Sequence, residues 1–167
     1  RLLSSMYGVE ISSGKISQIT DKVLPEIQSW QNRQIQSFYS ILYLDAIHFK
    51  VRHEGRYETR AFYTVYSIDW DGQRDLLGMY IQAQEGAGRW GLVLEDLKKR
   101  GVADILVVCT DDLTGFSAVI GEVFPQAILQ KCIVHQVRNS LKDVDEQERT
   151  AVAADVRKIY ASTSVEQ

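Results

Sequence analysis

The stretch ILYLDAIHFKV, residues 41–51, decides the fold, and it contains one charged residue that does not suit a buried strand. Side chains alternate between the two faces of a β-strand, so Asp45 shares a face with a row of apolar residues: Ile41, Tyr43, Ile47, Phe49 and Val51. Burying an unpaired carboxylate is costly, so Asp45 needs hydrogen bonds, a cation or a metal. For a single aspartate in isolation, a structural role is favoured.

Length and composition indicate a globular domain. The chain has 167 residues, 45% of them hydrophobic and 25% charged, which suffices for one sizeable core. No apolar run approaches the roughly 18 residues of a membrane helix. Two cysteines cannot form a disulfide framework, which favours a reducing compartment, and the net charge of −3 excludes only a uniformly basic surface. Because the chain starts at Arg1 without methionine and stops in a polar stretch, we expect a piece of a longer protein.

The first 37 residues are predicted to be helical. Ser12 or Ser13 is suited to cap a helix whose apolar positions continue to Val23. Pro25 is predicted to end this helix and to start another. Two interpretations stay open: the second half of a helix-turn-helix, or a helical hairpin. The polar residues 28–37 then lead into the main domain.

The remainder predicts an α/β domain with one mixed sheet flanked by helices. Three β runs between residues 41 and 81 are separated by short glycine turns, so they are antiparallel neighbours. A helix ended by Gly101 leads to the apolar strand 105–109, which we expect to be parallel and covered by helices on both faces. A further helix, a short strand and two helices follow, the last with a capping box formed by Asp145 and Glu148.

Acidic residues follow the central strand of this predicted sheet. Asp111 lies at its carboxyl end, where ligands gather in α/β sheets, while Asp112 is suited to cap the next helix. If the strands that carry Asp45 and Asp111 are neighbours, the two carboxylates come within reach of a shared Mg²⁺ or Mn²⁺ ion.

Several motifs, in order, resemble the transposases of bacterial insertion sequences in the Mutator group. They are LDAIHFKVR at 44–52, QEGAGRW at 84–90, CTDDLTGF at 109–116 and QKCIVHQVRNSL at 130–141, and residues 20–33 match as well. The resemblance implies an RNase H-like fold and a DDE transposase that cuts DNA at element ends and joins it to a target with two divalent metal ions. Asp45 would be the first acidic metal ligand and Asp111 the second.

The resemblance also implies a domain plan and a missing ligand. Residues 1–37 would be the tail of a helix-turn-helix DNA-binding region, 38–142 the RNase H-like catalytic core, and 143–167 the start of a helical insertion. The third acidic residue of the family, a glutamate, follows that insertion, and Glu146 and Glu148 are better explained as capping and solvated residues. We therefore expect the chain alone to be inactive.

Cys132 and His135 match the family's Cys-x-x-His signature. A zinc site generally needs four ligands, and only Cys109, His48 and His53 remain as soft partners. We expect His135 to hydrogen-bond near the catalytic site, to a phosphate or an acidic side chain, and Cys132 to pack at a strand end.

Candidate phosphate contacts surround the predicted site. Lys131, Arg138 and Lys142 flank it, and the first hairpin adds three further cations: Lys50, Arg52 and Arg56. Each of them, taken individually, is better explained as a solvated surface charge.

The resemblance further implies DNA as the partner, both element ends and target, no membrane, a homo-oligomer of the full-length protein, and a bacterial cytoplasmic location near the nucleoid. Two other functions stay open. One is another RNase H-like nuclease; the other is a non-catalytic DNA- or protein-binding module derived from a transposase.

Overall fold

The computed structural model describes residues 12–53, 55–83, 86–111 and 113–162. The chain divides into two compact units, residues 1–34 and residues 35–167, which are described separately. Within the described ranges, every helix is too short or too polar to cross a lipid bilayer.

The described residues of the first unit contain a long helix, α1, Ser13–Gln31. Its N-cap is Ser12, whose side-chain oxygen accepts a hydrogen bond from the Lys15 backbone N–H at 3.2 Å, as predicted. The predicted break at Pro25 is wrong, because the helix continues through it. A proline removes one N–H donor, and the regular turns on both sides of Pro25 hold the 19-residue helix together.

The second unit contains a five-stranded mixed sheet, which confirms the predicted fold class. Its strands are β1, Phe38–His53; β2, Arg56–Ile68; β3, Arg74–Gln82; β4, Asp104–Thr110; and β5, Ile128–Lys131. The sheet order is β3-β2-β1-β4-β5, with β1, β2 and β3 antiparallel, β4 parallel to β1, and β5 parallel to β4. This is the RNase H-like arrangement.

In the part of this unit that the structure describes, four helices accompany the sheet: α2, Ala87–Lys99; α3, Phe116–Val123; α4, Ile133–Ser140; and α5, Arg149–Ala161. Gly101 follows the end of α2 with a φ of 121°, as predicted for a helix-ending glycine. The predicted capping box is wrong, because Glu148 is the N-cap of α5 and makes no side-chain capping bond. Asp145 instead lies in the preceding turn, where its carbonyl accepts from the N–H groups of Glu148 and Arg149.

The core joins one face of the sheet to α2 and α3. Tyr63 of β2 stacks on Trp90 of α2 with ring centroids 4.2 Å apart, and Trp90 lies 5.4 Å from the ring of Phe116 on α3. Because α2 and α3 contact each other, they belong to the same layer. The prediction that helices cover both faces of β4 is wrong for the described residues, since Leu106 is 47% exposed.

Candidate active site

The pairing of β1 with β4 brings the two predicted acidic positions to the same level of the sheet. Tyr43 pairs with Cys109 in a parallel register. Asp45 lies two residues further along β1, on the face of Tyr43, and Asp111 follows directly after Thr110, the last residue of β4. Neighbouring strands lie about 4.8 Å apart. The condition set by the sequence, that these two strands be neighbours, is therefore met.

Asp45 lies on a sheet face that the described residues leave open. Its side chain is 50% exposed, and Tyr43 and Ile47 in the same row are 38% and 57% exposed. The expectation that this row is buried is wrong here, because α2 and α3 both pack on the opposite face. The carboxylate is thus accessible to a ligand from solvent rather than forced to find a partner inside a core.

Asp111 is more enclosed. One carboxylate oxygen, Oδ1, is buried and has no hydrogen-bond partner among the described residues. A buried carboxylate oxygen without a donor is costly unless a cation or water satisfies it. Asp112 lies outside the described residues; the N-cap of α3 is Gly115, which makes no side-chain capping bond.

His135 reaches Asp45 from α4. Its Nε2 atom lies 3.7 Å from Asp45 Oδ1, too far for a hydrogen bond but close enough for an attraction when the imidazole is protonated. Its Nδ1 atom is buried without a partner among the described residues. The start of α4 is fixed by the Cys132 N–H, which donates to the carbonyl of Thr110 at 2.6 Å, directly before Asp111.

The two cysteines lie next to each other beside this site. Both are half-buried and free, and burial together with the neighbouring Cys132 raises the pKa of Cys109 from 9.0 to about 11. Cys109 is therefore a neutral thiol at physiological pH. Within the described ranges, no three His, Cys, Asp or Glu residues form a group that could hold a metal ion.

A cleft of about 720 Å³ opens around Asp45 and His135. Its lining includes two tyrosines that pair across β1 and β2, and two arginines from distant elements: Tyr43, Tyr66, Arg74 and Arg138. Of the three cations predicted near the site, Arg138 lines this cleft, whereas the exposed Lys131 and Lys142 do not.

Sequence reasoning missed Arg74 and Tyr66. Arg74 opens β3 directly after a turn, so nothing local distinguishes it from a solvated charge. Tyr66 lies opposite Tyr43 through the β1–β2 register, and that register is the signal that relates the two rings. The alternation of side chains along β2 alone does not show that the two rings are neighbours.

The strand order β3-β2-β1-β4-β5, with β1 antiparallel to β2 and parallel to β4, is that of an RNase H-like fold. The chain belongs to the Mutator family of transposases, whose family model matches residues 1–167. It is 40% identical over 164 residues to the transposase of insertion sequence ISRM3 from Rhizobium meliloti strain 1021, covering 98% of this chain and 41% of that protein. A probable insertion-sequence transposase of Corynebacterium diphtheriae is 37% identical over 160 residues, covering 96% of this chain and 47% of that protein.

The chain thus spans less than half the length of these relatives. Among solved structures, it is similar to the Drosophila P element transposase in a strand transfer complex, with 8% identity, a TM-score of 0.44, and coverage of 84% of this chain and 39% of that one. It is also similar to the HTLV-2 integrase catalytic core domain in complex with magnesium, with 11% identity, a TM-score of 0.40, and coverage of 80% and 91%.

Proposed function

We propose that this chain supplies two metal-binding carboxylates, Asp45 and Asp111, to a DNA transposase that cuts element ends and joins them to a target. The observation that supports the proposal is the parallel pairing of β1 with β4, whose last pair, Tyr43 with Cys109, comes two residues before each aspartate. Membership of the Mutator family supports the reaction class.

The residues present supply part of the ligand set that a hard divalent cation such as Mg²⁺ or Mn²⁺ requires. Carboxylate oxygens are the ligands that these ions prefer. The buried Oδ1 of Asp111 has no hydrogen-bond partner among the described residues, so it is available to a cation. When bound, such an ion neutralises phosphate charge and activates the attacking hydroxyl. Because the described residues contain no group of three suitable ligands, another part of the full-length enzyme must complete the site.

In this proposal His135 positions the carboxylate of Asp45. When protonated, its imidazolium attracts the carboxylate across 3.7 Å and limits the positions that Asp45 takes in the open cleft. Arg138, on the same helix and lining the same cleft, is suited to a DNA phosphate, with the exposed Lys131 and Lys142 as outer contacts.

The wider organisation belongs to the proposal as well. Residues 1–37 would end a DNA-binding region, residues 38–142 would form the catalytic core, and residues 143–167 would begin a helical insertion. The full-length protein would act as a homo-oligomer on element ends and target DNA in the bacterial cytoplasm. The 167 residues alone should neither cut nor join DNA.

The test uses a chimera in which this chain replaces the matched region of the ISRM3 transposase. Asp45→Asn and Asp111→Asn should each lower strand cleavage and joining more than about 100-fold, because even outer partners of a metal site account for roughly 10–100-fold. Binding of element ends, measured by gel shift, should stay within about twofold.

Asp71→Asn is the matched control, since Asp71 lies exposed in the turn between β2 and β3, and its activity should equal that of the unsubstituted chimera. Normal cleavage by the Asp45 or Asp111 variant would refute the assignment. Product analysis separates the reaction classes, because a nuclease releases cut ends whereas a transposase also joins a 3′ hydroxyl to new DNA.

A further inference from the structure

The hairpin that joins β1 to β2 extends beyond the rest of the sheet as a two-stranded ribbon. β3 pairs with β2 only from Ala61 onwards, and β4 pairs with β1 only as far as Tyr43. Among the described residues, 49–53 and 56–60 therefore pair only with each other, over a length of about 17 Å. We call residues 49–60 the hairpin arm.

The hairpin arm is basic although the chain is acidic. It contains one lysine, three arginines and two glutamates, a net charge of +2, whereas the whole chain carries −3 and the residues outside the arm therefore carry −5. Glu58 forms an ion pair with Arg60 on one face of the arm. Cations that are concentrated on one projecting element attract a polyanion even when the protein as a whole is acidic.

The opposite face of the arm carries cations without a carboxylate. Lys50 pairs with Thr59 and Arg52 with Tyr57, so these four side chains share a face, which we call the basic face. All four are exposed, and Tyr57 is 74% exposed. Neither Lys50 nor Arg52 forms an ion pair with a described residue. The basic face thus presents two cations and two hydroxyl groups, all of which can donate hydrogen bonds to an anion.

The shape and the chemistry of the arm fit duplex DNA. The major groove is about 12 Å wide and admits a two-stranded β-ribbon. Lysine and arginine neutralise phosphates, and the hydroxyl groups of tyrosine and threonine donate to phosphate oxygens. We propose that the hairpin arm binds the backbone of duplex DNA, with Lys50 and Arg52 on phosphates and with Tyr57 and Thr59 as additional donors.

This contact lies apart from the candidate active site. Lys50 follows Asp45 by five residues along β1, about 17 Å, and an odd number of residues places the two side chains on opposite faces of the strand. The arm therefore holds DNA and takes no part in the chemistry. The inference rests on the proposed function for the source of the duplex, an element end or a target, but it does not need the metal site.

Salt-dependent binding by the same chimera tests the proposal. Lys50→Gln combined with Arg52→Gln is compared with the unsubstituted chimera between about 50 and 200 mM KCl, without divalent metal. The two probes are a fluorescent element-end duplex and a duplex of random sequence that stands for the target. Each lost phosphate contact lowers the slope of log K against log salt by about 0.9, so the slope should fall by about 1.8 on at least one duplex. Lys50→Arg combined with Arg52→Lys should keep the original slope.

The matched control removes one lysine and one arginine that are exposed elsewhere. Lys99 is the last residue of α2, and Arg157 lies on α5. Lys99→Gln combined with Arg157→Gln changes the net charge by the same amount and leaves the arm intact. Its slope should equal that of the unsubstituted chimera on both duplexes.

Three results would overturn the proposal. An unchanged slope on both duplexes would show that the two cations only protect the exposed strand edges of the arm. Equal reductions in the arm variant and the control would show a long-range effect of net charge. Weaker binding with an unchanged slope would show a structural change rather than a lost phosphate contact.

The two proposals fail separately. Asp45→Asn should bind both duplexes with the original slope while it loses cleavage, because the binding assay contains no divalent metal. The arm variant is judged by its slope alone, so normal cleavage by Asp45→Asn would refute the metal site without affecting the result for the arm. Circular dichroism verifies that each variant is folded, as expected for substitutions of exposed side chains.

Discussion

The two faces of the sheet differ although the same strand, β1, serves both. Leu42 and Leu44 are 0% and 3% exposed against the helical layer, whereas Tyr43 and Asp45, their immediate neighbours, are 38% and 50% exposed on the other side. One face therefore holds the core, and the other presents the candidate site and exposed apolar residues such as Ile47. Adjacent residues of one strand should respond very differently to substitution.

The largest expected effect compares two aliphatic residues of β1. Leu42→Ala should lower the free energy of unfolding of the isolated chain by about 2–5 kcal/mol, because it leaves a cavity in the helix-covered core. Ile47→Ala should lower it by about 1 kcal/mol or less, since Ile47 is more than half exposed. Urea denaturation followed by circular dichroism measures both, and equal losses would contradict the difference between the faces.

A smaller effect concerns the turn that follows Asp111 on the covered side. Gly115 has a φ of 88°, and a Cβ there would lie 3.2 Å from the Cβ of Ala87, so Gly115→Ala should cost about 1–2 kcal/mol. Gly121 lies inside α3 with open space around it, so Gly121→Ala should stabilise by roughly 0.5–1 kcal/mol. Thermal denaturation that shifts both variants in the same direction would contradict this account.

The smallest effect concerns Cys109, on the open face of β4. Its raised pKa, about 11 instead of 9.0, predicts that iodoacetamide alkylates Cys109 with a midpoint near pH 11. Stability linked to this thiol should be constant below pH 9 and fall as the pH rises from 9 towards 11, because the unfolded chain loses the proton first. Cys132→Ser should lower the midpoint, and an unchanged midpoint would show that Cys132 does not contribute.

The sequence predicted the order of strands and helices because short glycine turns and crossover lengths restrict strand direction. It also predicted that the strands before Asp45 and Asp111 are neighbours if the two carboxylates are to meet, and the parallel β1–β4 pairing meets that condition. The rule that a proline ends a helix did not predict that α1 continues through Pro25. The hydrogen bonds of the surrounding helical turns outweigh the one backbone N–H donor that proline lacks. Arg74 and Tyr66 were missed because the pairings of consecutive strands, Tyr43 with Tyr66 and Ile68 with Arg74, bring them to the cleft, and the pattern along a single strand does not show this.

The shortness of β5 has a dynamic consequence for His135. All four residues of β5 are exposed, the strand lies at the sheet edge and pairs only with β4, and α4 follows after a single residue. Such a segment opens at a lower free energy than the core strands and exchanges its amide hydrogens first. We expect opening of β5 to loosen α4, which is otherwise held at its start by the Cys132 N–H bond to the carbonyl of Thr110. His135 should therefore be more mobile than Asp45, which β1 holds between two paired strands.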